Sequence, residues 1–315
     1  DHQKTLKRWQ GREFIGLSQG TLSRLDQATL GLRGLMVLAA APNVGKTALA
    51  VQLGLDAVRV NPEACFVFLS LEMNRADILT RMLCNQAHLD WQKLVLGSDS
   101  GPDRPAKEIS TKQELEALDM AWQRLSDLGR RILILDAQNF PEPTVGKVVA
   151  QLQEFKALTR TRQALILVDY LQAFPLPREE GQILGLGSAP EAARWRVEAM
   201  KNLRDRTGEA VLVISEVRNP EQGRDWAGSL EDIVGSSRAI YTPDMIFLLQ
   251  TLSDDEAIKV IGGDPQAARR QLNQVGMTFN RLKIAKGRDG VTRDTLNLTF
   301  FYRQSRFAQG FKVFN

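Results

Sequence analysis

The 315 residues are 43% hydrophobic and 25% charged, the balance of an ordinary globular chain long enough for one large α/β unit or two smaller ones. A net charge of +4 permits a nucleic-acid partner without demanding one, so the placement of the basic residues matters more than their number. Two cysteines and two histidines argue against a disulfide framework, a zinc cluster or a histidine-based triad, and no window holds the ~20 apolar residues of a spanning helix, so the expectation is a cytoplasmic chain without membrane association.

Residues 1–15 are polar and basic and read as a linker or a docking helix, with Leu6 and Trp9 three apart as its apolar face. Gly20 to Leu32 reads as a short helix and loop. Gly34 to Thr47, GLMVLAAAPNVGKT, then passes from a buried strand into a polar loop that opens a helix. This is the order a P-loop needs. The backbone of Pro42, Asn43, Val44, Gly45, Lys46, Thr47 and Ala48 would wrap phosphates at a helix N-terminus. Lys46 would reach the outer phosphates and the Thr47 hydroxyl would take Mg²⁺. Ala40 stands where the G-x-x-x-x-G-K-[ST] pattern has its first glycine. The helix from Lys46 to Val60 is expected to turn Leu49, Leu53 and Val60 inward.

Ala64 to Ser70 is a second buried strand ending in Leu71-Glu72-Met73. A carboxylate at the carboxyl end of a strand beside a P-loop sits where open α/β sheets bind ligands, so Glu72 is the candidate to orient and polarise an attacking water. Helices are expected from Asn74 to His88 and from Lys112 to Leu128, with their Leu, Met and Trp residues packed in the core. Arg131 to Asp136 is a third strand, Thr144 to Thr161 a helix and Ala164 to Asp169 a fourth strand. Asp169, an acid after four apolar residues, has the place of a Walker B carboxylate holding Mg²⁺.

Phe174 to Pro190 and Arg218 to Gly235 read as long loops after strand ends, the first followed by a helix to Arg206 and a fifth strand, Ala210 to Ser215, ending at Glu216. Asp244 to Gln250 is a sixth strand and Ser253 to Met277 mainly helical. Thr278 to Ala285 and Thr295 to Phe301 form a β-hairpin turning at Asp289-Gly290. Arg281, Lys283, Lys286, Arg288 and Arg293 surround that turn. Lys286 and Arg288, two apart on a strand, share a side and can reach a phosphate across a subunit boundary.

The order AAAPNVGKT, SLEM (Ser70 to Met73), VDYLQ (Val168 to Gln172), VIS (Val213 to Ser215) and KGRDG (Lys286 to Gly290) resembles the ATPase domain of DnaB-type replicative helicases, from about Gly16 to Phe307. The resemblance implies a RecA-like P-loop NTPase fold over residues 16–315, with a mostly parallel sheet flanked by helices and a C-terminal β-hairpin. It also implies a homo-hexameric ring with ATP and Mg²⁺ between neighbours, moving 5′ to 3′ on single-stranded DNA. Carried over by position, Glu72 is the catalytic base, Lys46 and Thr47 hold phosphate and Mg²⁺, and Asp169 is the Walker B acid. Arg288 is the arginine finger for the adjacent subunit, with Lys286 its companion.

The sequence departs from the family at two places. Glu216 replaces a glutamine that follows the fifth-strand serine, and a second carboxylate near phosphate is repelled unless Mg²⁺, Lys or Arg offsets it. Ser236-Ser237-Arg238-Ala239-Ile240 replaces an acid followed by Ser-Gly-Ala-Ile; the added Arg238 makes Ser236, Ser237 and Arg238 candidates for phosphate contact with DNA. The family's N-terminal collar has no counterpart in these residues, which leaves a primase or primase-polymerase module among the alternatives, with a helicase loader as a further partner. A RecA-like strand-binding recombinase and a nucleotide-switched assembly ATPase are the competing readings.

Overall fold

The computed structural model describes residues 14–95, 111–179, 182–183, 188–217, 241–262 and 264–312. Residues 1–13, positions 180–181 and 184–187 of the first long loop, and the second long loop with Ser236, Ser237 and Arg238 therefore lie outside the described residues.

Five apolar runs build the centre of the sheet: β1 (Leu35–Ala40), β2 (Ala64–Ser70), β4 (Gln163–Asp169), β7 (Ala210–Glu216) and β8 (Met245–Thr251). Strands covered by helices on both faces must be apolar throughout rather than alternating, and β1 and β2 are buried at every position. With β3 (Ile132–Leu135) at one edge, the sheet runs β3, β2, β4, β7, β1, β8 in parallel pairing. It continues antiparallel through β9 (Met277–Gly287), β10 (Thr295–Phe301) and β11 (Arg306–Gln309). A short pair, β5 (Arg178–Glu179) and β6 (Gln182–Ile183), stands apart in the first long loop.

Alternation along each strand splits the core in two. Met36, Leu38, Phe66 and Phe68 face α2 (Lys46–Val60) together with Phe300 and Phe307 of the C-terminal strands. Leu35, Val37, Val67 and Leu69 face α6 (Val145–Thr159) and α7 (Ala189–Thr207), where Val148, Leu152 and Leu203 close the other layer. The remaining helices are α1 (Ser23–Thr29), α3 (Arg75–Ala87), α4 (Trp91–Val95), α5 (Lys112–Gly129), α8 (Asp254–Ile261) and α9 (Pro265–Val275).

Helix starts follow their caps. Asn74, Thr111, Thr144, Ser188 and Ser253 each accept a backbone N–H of the first turn, and Thr111 and Ser253 complete capping boxes with Glu114 and Glu256. His88 closes α3 in a left-handed conformation, and burial lowers its pKa. Cys65 and Cys84 are free and buried, the Cys84 thiol pushed up to about 12 by burial.

Three expectations are corrected. Val60 is 43% exposed, because α2 is buried on all sides only from Ala48 to Val58 and its last residue emerges from the core. On α5 only Ala121 is fully buried, with Leu118, Leu125 and Leu128 half-buried against the core and Trp122 and Met120 exposed, since a single neighbouring layer covers only a narrow stripe of the helix. Ser253 to Met277 is mainly helical as expected, in two helices separated where Gly262 takes φ +78 at a C-cap. The hairpin is not tight: Asp289 and Gly290 do take consecutive positive φ, but pairing ends at Thr295 with Lys283, and residues 288–294 loop back so that Thr292 N–H meets Ala28 O.

Candidate nucleotide site

β1, β2, β4 and β7 end at the same edge of the sheet, and the residues that follow them form one cluster. Register sets Ala40 against Glu216 and Ser70 against Asp169. The chain leaves β1 through the loop Ala41 to Gly45 and enters α2 at Lys46, so the free N–H groups of the first helical turn face this edge. Gly45 has φ +98 with Phe300 and Phe307 stacked behind it; a Cβ there would lie 2.7 Å from Phe300 Cε1. The tight cradle requires glycine both for its backbone and for its space.

Lys46 Nζ donates to Ala40 O and Ala41 O at 2.9 Å, folding back across the loop it would share with a phosphate. Burial lowers its pKa, opposed by Glu216, Asp169 and Glu72. The order of those charges matters, because Glu216 is the strongest electrostatic partner of Lys46.

The Thr47 hydroxyl donates to Asp169 Oδ2 at 2.8 Å. Asp169 is 3% exposed, and its pKa is raised to about 6 by burial, with the Glu72 charge adding to the rise and the Thr47 bond opposing it. A buried carboxylate pushed up in this way is a group waiting for a cation. Among the described residues no cluster of three His, Cys, Asp or Glu side chains could hold a metal alone. That suits Mg²⁺, which takes one or two protein oxygens and completes its shell with phosphate and water. Thr47 and Asp169 fit that role.

Sequence reasoning missed how the cluster is braced. Gln172 Nε2 donates to Ser215 Oγ at 3.1 Å, tying the end of β4 to the end of β7. Gln52, a buried amide on α2, accepts from Phe307 N at 2.7 Å and donates to Phe307 O at 2.9 Å, and Asn85 Nδ2 joins it from α3. The C-terminal strands are thereby clamped to the phosphate-binding helix. A lone polar residue in the apolar stretch AVQLGL was the available signal.

Lys286 and Arg288 are not part of this cluster. Met245 pairs with both Met36 and Gly287, which puts the basic pair at the amino end of the parallel strands. The P-loop leaves the carboxyl end of the six-residue β1, about 20 Å away along the strand. Arg288 lies one residue beyond β9, yet its Nη2 and the Lys286 Nζ both donate to Tyr241 O, at 2.5 and 2.6 Å, so the expected common side is observed. Burial lowers the Lys286 pKa to about 8, the neighbouring Arg288 charge adding to the effect and Asp244 opposing it. A cavity of about 330 Å³ opens here between Lys201, Arg204, Tyr241 and Arg288. Arg281 instead pairs with Glu256.

A profile described as DnaB-like helicase C terminal domain matches residues 16–309. The chain belongs to this family. It is 27% identical over 244 residues to the replicative DNA helicase DnaC of Bacillus subtilis, covering 75% of this chain and 47% of that protein. With the replicative DNA helicase DnaB of Leifsonia xyli it shares 25% identity over 297 residues, 91% of this chain and 54% of the relative. The chain thus spans about half the length of these relatives. Among solved structures, one described as an ATPase domain superposes with a TM-score of 0.75 at 18% identity, covering 99% of this chain and 96% of that one. A DnaB-like replicative helicase studied for its interactions with primase gives 0.73 at 19% identity, covering 99% and 65%. The expected RecA-like arrangement is therefore the fold of this DnaB-like domain. No helix among the described residues is long and apolar enough to cross a membrane.

Proposed function

We propose that this domain is the motor of a cytoplasmic replicative DNA helicase. It hydrolyses ATP at the interfaces of a homo-hexameric ring and moves 5′ to 3′ along single-stranded DNA. The observation that carries the proposal is the division of the catalytic charges between opposite ends of β1. Lys46, Thr47, Glu72 and Asp169 gather at one end, and Lys286 and Arg288 at the other. An arginine side chain spans well under the ~20 Å between them, so the basic pair serves a nucleotide bound by another subunit.

In this reading Lys46 and the N–H groups of Gly45, Lys46, Thr47 and Ala48 bind the phosphates, and Pro42, Asn43 and Val44 shape the loop around them. Mg²⁺ at Thr47 and Asp169 supplies charge neutralisation for the phosphates. Glu72 orients the attacking water and takes up its proton. Arg288 stabilises the charge that builds on the transferred phosphoryl group, with Lys286 beside it. Ser236, Ser237 and Arg238 supply contacts to the DNA backbone, giving grip without sequence preference. A primase or primase-polymerase module and a helicase loader are the partners this role calls for; the likeness to a helicase studied with primase supports the first.

The test is steady-state ATP hydrolysis with and without single-stranded DNA across protein concentration. Stimulation by DNA and a cooperative rise with concentration support the ring motor. Hydrolysis indifferent to both would favour a nucleotide switch.

A further inference from the structure

Asp244, the residue just before β8, ties the start of β1 to Arg288 at the amino end of the parallel strands. Its N–H donates to Leu35 O at 2.7 Å and its carbonyl accepts from Arg288 N at 3.1 Å. The carboxylate repeats both connections. Oδ2 accepts from Leu35 N at 2.8 Å, and Oδ1 lies 3.6 Å from Arg288 Nη1. Arg204 of α7 approaches Oδ2 at 3.8 Å.

Room for the carboxylate exists because residue 34 is glycine. Its φ is +65, and a Cβ there would stand 2.4 Å from Asp244 Oδ2. Asp244 is 16% exposed while Arg288 is 48% exposed, so the anchor lies inside and the guanidinium faces out. With Tyr241 O taking one N–H and Asp244 facing another, a group with five donors still presents N–H outward. The backbone bonds already dock β8 on β1, and an amide oxygen would serve Leu35 N as well as a carboxylate. The negative charge instead serves the guanidinium groups of Arg288 and Arg204, at 3.6 and 3.8 Å.

We propose that Asp244 is a positioning residue for Arg288, holding its guanidinium in one orientation at the subunit edge so that it meets a neighbour's triphosphate already ordered. This rests on the reading of Arg288 as a group acting in trans. A free arginine would surrender rotamer freedom on each encounter with phosphate, and a paired one has surrendered it beforehand. The same pairing links the finger to the first residue of β1, the strand that carries this subunit's own P-loop at its far end.

The test is single-turnover and steady-state ATP hydrolysis by the full chain, assembled on single-stranded DNA, for Asp244→Asn, Arg288→Ala and the double variant, with thermal melts alongside. Asp244→Asn keeps the acceptor for Leu35 N and removes the charge. It is expected to lower kcat about fivefold, the size of a lost half-exposed ion pair, while KM for ATP stays within about twofold and the melting temperature is unchanged. In the Arg288→Ala background it is expected to change the residual rate by less than about twofold. An unchanged kcat, an equal loss in both backgrounds, or failure of Asp244→Asn to fold would each overturn the positioning role. Near-normal turnover by Arg288→Ala would instead remove the reading beneath it, a result distinct from the others.

Discussion

Asp169→Asn should stabilise the nucleotide-free protein while crippling it as an ATPase. The carboxyl is 3% exposed and its pKa rises from 3.8 to about 6, because burial and the Glu72 charge disfavour ionisation. The folded chain therefore holds this proton more tightly than the unfolded chain does. Folding loses stability as pH climbs from about 4 to about 6, and above that the full penalty, about 3 kcal/mol, is in place. Asparagine is neutral at every pH and its Oδ1 still accepts from the Thr47 hydroxyl, so the substitution removes the penalty and keeps the bond. At pH 7.5 without nucleotide, the variant should melt about 6 °C above wild type, given roughly 2 °C per kcal/mol for a domain of this size. The gap should close as pH falls toward 4. Mg²⁺ and ATP should then raise the wild-type melting temperature more than that of the variant, since ligand binding stabilises only where the site holds it. Differential scanning fluorimetry across pH, with and without Mg·ATP, reads all three. A variant that melts below wild type at pH 7.5, or a gap independent of pH, would refute the reasoning.

Three further outcomes follow from the same geometry. Turnover should fall as pH rises through about 8, because Lys286, lowered by burial and by Arg288, then loses the charge that meets phosphate; Lys286→Arg should keep its rate to higher pH in a pH–rate profile. Gly45→Ala should cost about 2 kcal/mol in urea melts and abolish ATP binding, since its Cβ would lie 2.7 Å from Phe300 Cε1 at φ +98. Glu216→Gln should lower KM for ATP severalfold, as the substitution removes a carboxylate that shares Lys46 with the incoming phosphates; an unchanged KM would mean that Glu216 points away from them when ATP is bound.

The central strands were legible because strands buried on both faces are apolar throughout, and β2 runs from Ala64 to Ser70 as read from composition alone. The positions of Asp169, Glu72 and the Lys46–Thr47 loop at one end of the sheet were legible for a related reason, since each sits where an apolar run meets a polar turn. Lys286 and Arg288 could be read as a pair, but their distance from the P-loop could not. That distance depends on β9 running antiparallel to β8, a pairing between segments with no local signature. Asp244, Gln52 and Gln172 were missed because each acts through a partner far along the chain: Arg288, Phe307 and Ser215. The exposed Leu115, Met120 and Trp122 of α5 were misread because periodicity shows that a helix has an apolar stripe, not how much of it a neighbour covers.

The measurement that tests the account most directly mixes two inactive proteins. Lys46→Ala subunits lack a working P-loop but keep Arg288, and Arg288→Ala subunits have the reverse. Each alone should be nearly silent, since a finger of this kind contributes about 10³ to 10⁵ in rate. Mixed on single-stranded DNA, they should recover hydrolysis wherever an intact P-loop faces an intact finger, peaking near equal proportions. Failure of every mixture to recover activity, or robust turnover by Arg288→Ala alone, would contradict catalysis shared between neighbouring subunits.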